Sequence, residues 1–261
     1  MEHFYSIHNV FAYYFADDID AETIQLVSPI IKNAFDKWDT IIMKDSYEKK
    51  INIKINIAKL DSDTLGYAGI RQIKYFGEPI FGNTFPDTGE MTINSDIIDT
   101  YTESKNGQDK SQLYYVILHE IGHILGIGTL WDLSGSPIYT IIDNSGTLHY
   151  LYNGENAFRE YKQIFNDVNN VLLGIPLEDD GGEGTINSHP EENGMCPEYL
   201  HGRYIENVFH PGLGNELMTG WIDSFPAAIP LSRITIGFLN DLGYTVNYEL
   251  ADNFIRICKK L

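Results

Sequence analysis

The stretch SQLYYVILHEIGHILG, residues 111–126, constrains this chain more than any other. It is apolar nearly all round, which marks a helix buried in a core, yet it carries two histidines and a glutamate. In a helix, residues four apart lie about 40° apart in azimuth and one turn apart in height. His119 and His123 therefore point the same way and can grip one metal ion. Glu120 lies about 100° round from His119, close enough to reach a water on that ion without being a ligand. The spacing suits a hydrolytic zinc site, in which zinc acidifies water and polarises a carbonyl while Glu120 takes the proton. If the histidines were only core filling, Glu120 would be a buried charge needing a partner, a costly arrangement.

Catalytic zinc takes three protein ligands and keeps one position open. Gly126 allows the chain to turn sharply out of the helix, and six residues after His123 stands Thr129, so the third ligand comes from elsewhere. Asp132 completes GTLWD, a pattern of proteases with an Asp ligand. Glu155 is the first glutamate downstream, and the remaining histidines after the helix are His149, His189, His201 and His210.

A chain of 261 residues can bury a full core, as one large domain or two packed subdomains. The formal charge of −19 argues against nucleic acid and anionic membrane surfaces, which reward clustered Lys and Arg. Cys196 and Cys258 are too few for a disulfide scaffold. The N-terminus lacks the basic and apolar regions of a signal peptide, and no apolar run approaches a membrane span. The expectation is a chain in the cytoplasm by default, with no mark of its oligomeric state.

Residues 21–43 carry apolar residues at helical spacing, and the part after Pro29 reads as an amphipathic helix. INIKINIAKL (51–60) alternates as a half-buried strand does. Residues 65–76 and 89–98 read as further strands separated by a Gly/Pro-rich turn. Residues 157–173 read as a helix. The Gly-rich stretch 178–215 is irregular and long enough to imply that it serves a site. A last helix follows, with Ser232 as its N-cap and Gly243 as its stop.

The ordered set of motifs resembles the leishmanolysin-type metzincins, zinc endopeptidases with a long insertion between the helix glycine and the third histidine. The likeness rests on NAFDKWDTII, GEMTINSDI, HEIGHILGIGTLW, GGEGTINSH (181–189), NELMTGW (215–221) and PLSRITIGFLNDLGYTVNY (230–248). It implies zinc held by His119, His123 and His189, Glu120 as the base, and Met218 as the Met-turn methionine packed below the metal. His189 and Met218 are 29 residues apart, further than the family pattern, and HGRYIENVF makes His201 the competing third ligand. Gly220 stands where some metzincins place a tyrosine ligand, so none is expected here.

The expected fold is α+β: a twisted, mixed and mostly parallel sheet on two long helices, with an irregular C-terminal subdomain. The expected division is residues 1–128, with sheet and zinc helix, and 129–261, with third ligand, Met-turn and final helix. The resemblance implies peptide-bond hydrolysis of protein or peptide substrates, which pair with an edge strand, here GEMTINSDI. Two other readings are a zinc protease of another clan using Asp132 and a non-catalytic, metal-stabilised binding relative.

Overall fold

The computed structural model describes residues 5–43, 50–104, 110–179, 182, 184–193, 203–222 and 229–254. Strands β1 (Tyr5–Ile7), β2 (Phe11–Phe15), β3 (Ile51–Ala58), β4 (Gly66–Tyr75) and β5 (Thr84–Asn94) form one sheet in the order β1-β2-β3-β5-β4. The pairs β2–β3 and β3–β5 are parallel, while β1–β2 and β5–β4 are antiparallel. The sheet is thus evenly mixed rather than mostly parallel. In β3 the alternation is realised directly, with Ile51, Ile53 and Ile55 fully buried and Asn52 exposed.

Helix α1 (Ala21–Ile41) crosses over between the parallel strands β2 and β3, a connection that parallel neighbours require. It begins well before Pro29, where the sequence placed its start. Asp20 caps it by accepting the Thr23 N–H at 2.9 Å. Interior proline costs a helix about 3 kcal/mol, and burial of Ile24 and Val27 ahead of it offsets that cost. A short 3₁₀ turn (Ser95–Ile97) and one-turn helix α2 (Ile98–Tyr101) lead from β5 toward α3 (Gln112–Leu125). The side chain of Ser111 caps α3, and Gly126 ends it at φ 115°, a left-handed conformation that suits glycine. The Trp38 indole N–H donates to the Leu118 carbonyl at 2.9 Å, locking α1 to α3.

Beyond Gly126 the elements are short. Strands β6 (Ile138–Ile142), β7 (Leu148–Tyr152) and β8 (Ile175–Pro176) form an antiparallel sheet, and β9 (Arg203–Ile205) with β10 (Val208–His210) form a hairpin. Helix α4 (Glu155–Ile164) stops well short of residue 173, because Asn166 and Asn170 adopt positive φ of 55° and 51°. Helix α5 (Arg233–Asp241) is capped by Ser232, with Gly243 at φ 96° just past its end. The carboxylate of Asp241 accepts the Asn156 and Ala157 N–H groups, so the end of α5 holds the start of α4. One core runs through both halves of the chain, from Phe11 and Trp38 through Ile121 and Trp131 to Phe238. Among the described residues no helix is long and apolar enough to cross a membrane. Cys196 and Cys258 lie outside the described residues.

Candidate metal centre and active site

Three imidazoles meet at the C-terminal half of α3. The Nε2 atoms of His119 and His123 are 2.9 Å apart, and His189 Nε2 stands 2.9 Å from that of His123 and 3.2 Å from that of His119. Each ring is oriented through its other nitrogen. His119 Nδ1 donates to the Leu217 carbonyl at 2.7 Å, His123 Nδ1 to the Ile127 carbonyl at 2.9 Å, and His189 Nδ1 to the Thr185 carbonyl at 3.1 Å. A carbonyl only accepts, so each Nδ1 carries the proton and each Nε2 is a bare lone pair. Three bare lone pairs facing one another repel, and a cation among them removes the repulsion. The donor set therefore fits a small imidazole-seeking cation such as zinc.

Burial acts in the same direction. His123 and His189 are buried and His119 is partly so. Burial, with some repulsion from His123, drives the His119 pKa down to about 3. His123 is lowered by burial, and His189 by burial and by the two neighbouring rings. All three rings are neutral at pH 7 and ready to coordinate. Glu120 is buried too, and its Oε2 has no hydrogen-bond partner among the described residues. That desolvation raises its pKa to about 8, a shift that a nearby cation would oppose.

Three segments carry this geometry. The first is α3 itself. The second is the loop 184–191, pinned by Glu178 N–H to His189 O at 3.0 Å and Asn187 N–H to Glu178 O at 2.9 Å. Behind it, carboxylate oxygens of Glu178, Glu191 and Glu192 lie within 4.8 Å of one another. Arg203 answers them, reaching Asp179 with both terminal nitrogens and contacting Glu191. Burial raises the Glu191 pKa to about 7 and lifts Glu192 as well, with help from Glu178. The third segment is the turn 215–219. Met218 is fully buried, and its Sδ sits where a Cβ on Gly122 would come within 2.6 Å. Glu216, also buried, accepts from Met218 N–H, Ser232 N–H and Thr235 Oγ, which ties the turn to the start of α5.

The other sequence candidates stand apart from this cluster. Asp132 and Glu155 are exposed. His149 pairs with Asp143 at 3.0 Å. His210 is buried with both nitrogens engaged, by Leu173 N–H and the Val208 carbonyl. His201 lies outside the described residues. The expected edge strand is corrected: β5, which holds GEMTIN, is flanked by β3 and β4, and among the described residues the strand at that edge of the sheet is β4. Sequence reading missed Glu216, although an acid two residues before a buried methionine was a signal that it bonds the turn.

A cavity of about 610 Å³ opens onto the histidines. Its walls include Ser62 to Ala68 before and along the start of β4, Val116, His119, Glu120 and His123 of α3, Gly184, Thr185, Ser188 and His189 of the loop, and Thr219 to Ile222. A mixed sheet on two long helices, with HExxH on the second and a methionine beneath, defines a metzincin-type zinc metallopeptidase. The chain belongs to the matrixin family of peptidases, whose sequence pattern matches residues 6–145, just over half of it. Zn²⁺ is the cofactor of that family, and the His119, His123, His189 group is where this chain could bind it. No curated protein matches the chain.

Proposed function

We propose that this chain is a leishmanolysin-like zinc endopeptidase in which His119, His123 and His189 hold the metal and Glu120 is the general base. The observation that carries the reading is the convergence of three Nε2 lone pairs, each proton fixed on the far nitrogen by a backbone carbonyl. The subtype rests on GGEGTINSH and NELMTGW, both outside the span that matches the matrixin pattern. Bound zinc supplies a Lewis acid that polarises the scissile carbonyl and acidifies water.

The protein groups divide the remaining work. Glu120 lines the cavity with an Oε2 that has no partner among the described residues, placed to accept a proton from the attacking water and return it to the leaving amine. The free edge of β4 receives an extended peptide as an added strand, by main-chain hydrogen bonds. Met218 forms the floor under the histidines without touching substrate. Residues 1–128 supply the β4 wall and α3, residues 129–261 supply the His189 loop and Met-turn, and the cleft runs between these subdomains.

Elemental analysis of wild type, His189→Ala and His201→Ala tests the ligand set. About one zinc per chain, lost in His189→Ala and kept in His201→Ala, is the expected result. Loss only in His201→Ala overturns the assignment, and retention in both returns Asp132 to consideration. Glu120→Ala should keep its zinc and lose roughly a hundredfold or more in peptide hydrolysis. If wild type holds zinc and cleaves no peptide, the chain is a binding relative instead.

A further inference from the structure

His119 and His123 are placed by the helix that carries them, but His189 belongs to no helix or strand. Its segment is a run of turns, in which Thr185 and Ile186 N–H donate to the Gly182 carbonyl and Ser188 N–H to the Thr185 carbonyl, each at 3.2 Å. Such bonds shape the loop without saying where it stands relative to α3. Its position is set by what it packs against, and two glycines meet it there. Gly128, just past the end of α3, has φ 77°, and a Cβ there would stand 2.3 Å from the Ser188 carbonyl oxygen, in the peptide unit that leads into His189. Gly220, just after Met218, approaches the same loop: a Cβ there would stand 2.7 Å from Thr185 Cγ2 and 3.6 Å from His189 Cγ. Thr185 is also the residue whose carbonyl accepts the His189 Nδ1 proton.

Non-bonded atoms do not approach so closely, so a side chain at either position must move the loop. At Gly128 the obstruction is main chain, which cannot rotate aside as a side chain can. At Gly220 it is a single methyl group, attached to the residue that orients the His189 ring. Metal–ligand distances hold only to within about 0.2 Å, so displacements of this kind reach the metal through His189.

We propose that Gly220 and Gly128 are positioning residues for the third ligand: the lack of a side chain at each lets the loop seat closely enough for His189 Nε2 to join the other two. The proposal rests on the reading of His189 as a ligand. The probe is Co²⁺, added to the metal-free full chain, because its visible band is strong in a four-coordinate site and weak once a protein ligand gives way to additional water. Zinc affinity is measured alongside by competition with a chelator. Gly220→Ala should weaken zinc binding roughly tenfold to a hundredfold and reduce the Co²⁺ band toward that of His189→Ala. Adding Thr185→Ala removes the methyl and leaves His189 Cγ, at 3.6 Å, as the nearest contact of the new Cβ, so both readouts should recover. Gly128→Ala should weaken metal binding at least as much. Its control is Gly135→Ala: Gly135 has φ 83° but no described atom within 4 Å of a Cβ there. That variant carries the same backbone strain without the obstruction and should bind metal as wild type does. If Gly128→Ala does not fold, the Gly220 and Thr185 pair decides. An unchanged band and affinity in Gly220→Ala, or a loss that Thr185→Ala fails to restore, overturns the proposal and leaves the endopeptidase reading standing. A wild-type band in His189→Ala overturns instead the ligand set beneath it.

Discussion

The Sδ of Met218 occupies the space that a side chain on Gly122 would fill, 2.6 Å from where its Cβ would be. Gly122 lies between Glu120 and His123 on α3, so the glycine of HEIGH is a seat for Met218 as well as a spacer. This contact joins two segments almost a hundred residues apart, and His119 Nδ1 to Leu217 O joins them again.

Gly122→Ala should therefore force Met218 or the turn to move, at a cost of about 1–3 kcal/mol. Thermal unfolding and zinc content measured together would show it, with both lowered. Met218→Leu, close in volume, should cost less than about 1.5 kcal/mol. An alanine at 122 that leaves both readouts unchanged would show that the contact is slack.

Glu216 satisfies three buried donors with one carboxylate. Glu216→Ala leaves the Met218 and Ser232 N–H groups and the Thr235 hydroxyl unpaired, and should cost roughly 3 kcal/mol or more in urea unfolding. Glu216→Gln should fall between wild type and alanine, because its amide nitrogen would face a donor.

Arg203 is the cation that answers Asp179 and Glu191 behind the His189 loop. Arg203→Ala leaves those carboxylates uncompensated and should destabilise the protein by about 3 kcal/mol. It should also weaken zinc retention while leaving His119 and His123 untouched. Competition with a chelator, compared between variant and wild type, checks this.

The same carboxylates make stability depend on pH. Glu191 titrates near 7 in the folded protein against an ordinary 4.5, and Glu192 is raised too. The folded state then holds protons that the unfolded chain has released. Their contribution is fully present below pH 4.5 and is lost as pH rises through about 7. Glu192→Gln removes one of the crowded charges, so its Tm advantage over wild type should be absent near pH 4 and grow toward pH 8. An advantage that shrinks over that range would contradict the burial argument.

Much of the fold was legible where one element's own residues decide it. Ile51, Ile53 and Ile55 alternate in sequence and lie buried along one strand. Ser232 caps α5 and Gly126 ends α3, because capping is a matter of a few neighbouring bonds. Pro29 misled, since its local penalty is set against burial that only the packed sheet provides. Residues 166–173 misled in the opposite direction: helical spacing continues past Ile164, but two asparagines in positive φ turn the chain away.

By itself, then, the sequence determined the helix carrying His119, Glu120 and His123, its glycine stop, and the strands that alternate. These depend on periodicities of 3.6 and 2 residues that act within one segment. Only the tertiary structure decided that β4 rather than β5 is an edge strand, that His189 stands beside the α3 histidines, and that Glu216 ties the turn 215–219 to α5. Those relationships join residues far apart along the chain. Their free energy comes from strand pairing, buried hydrogen bonds and shape-matched contacts that no single segment contains.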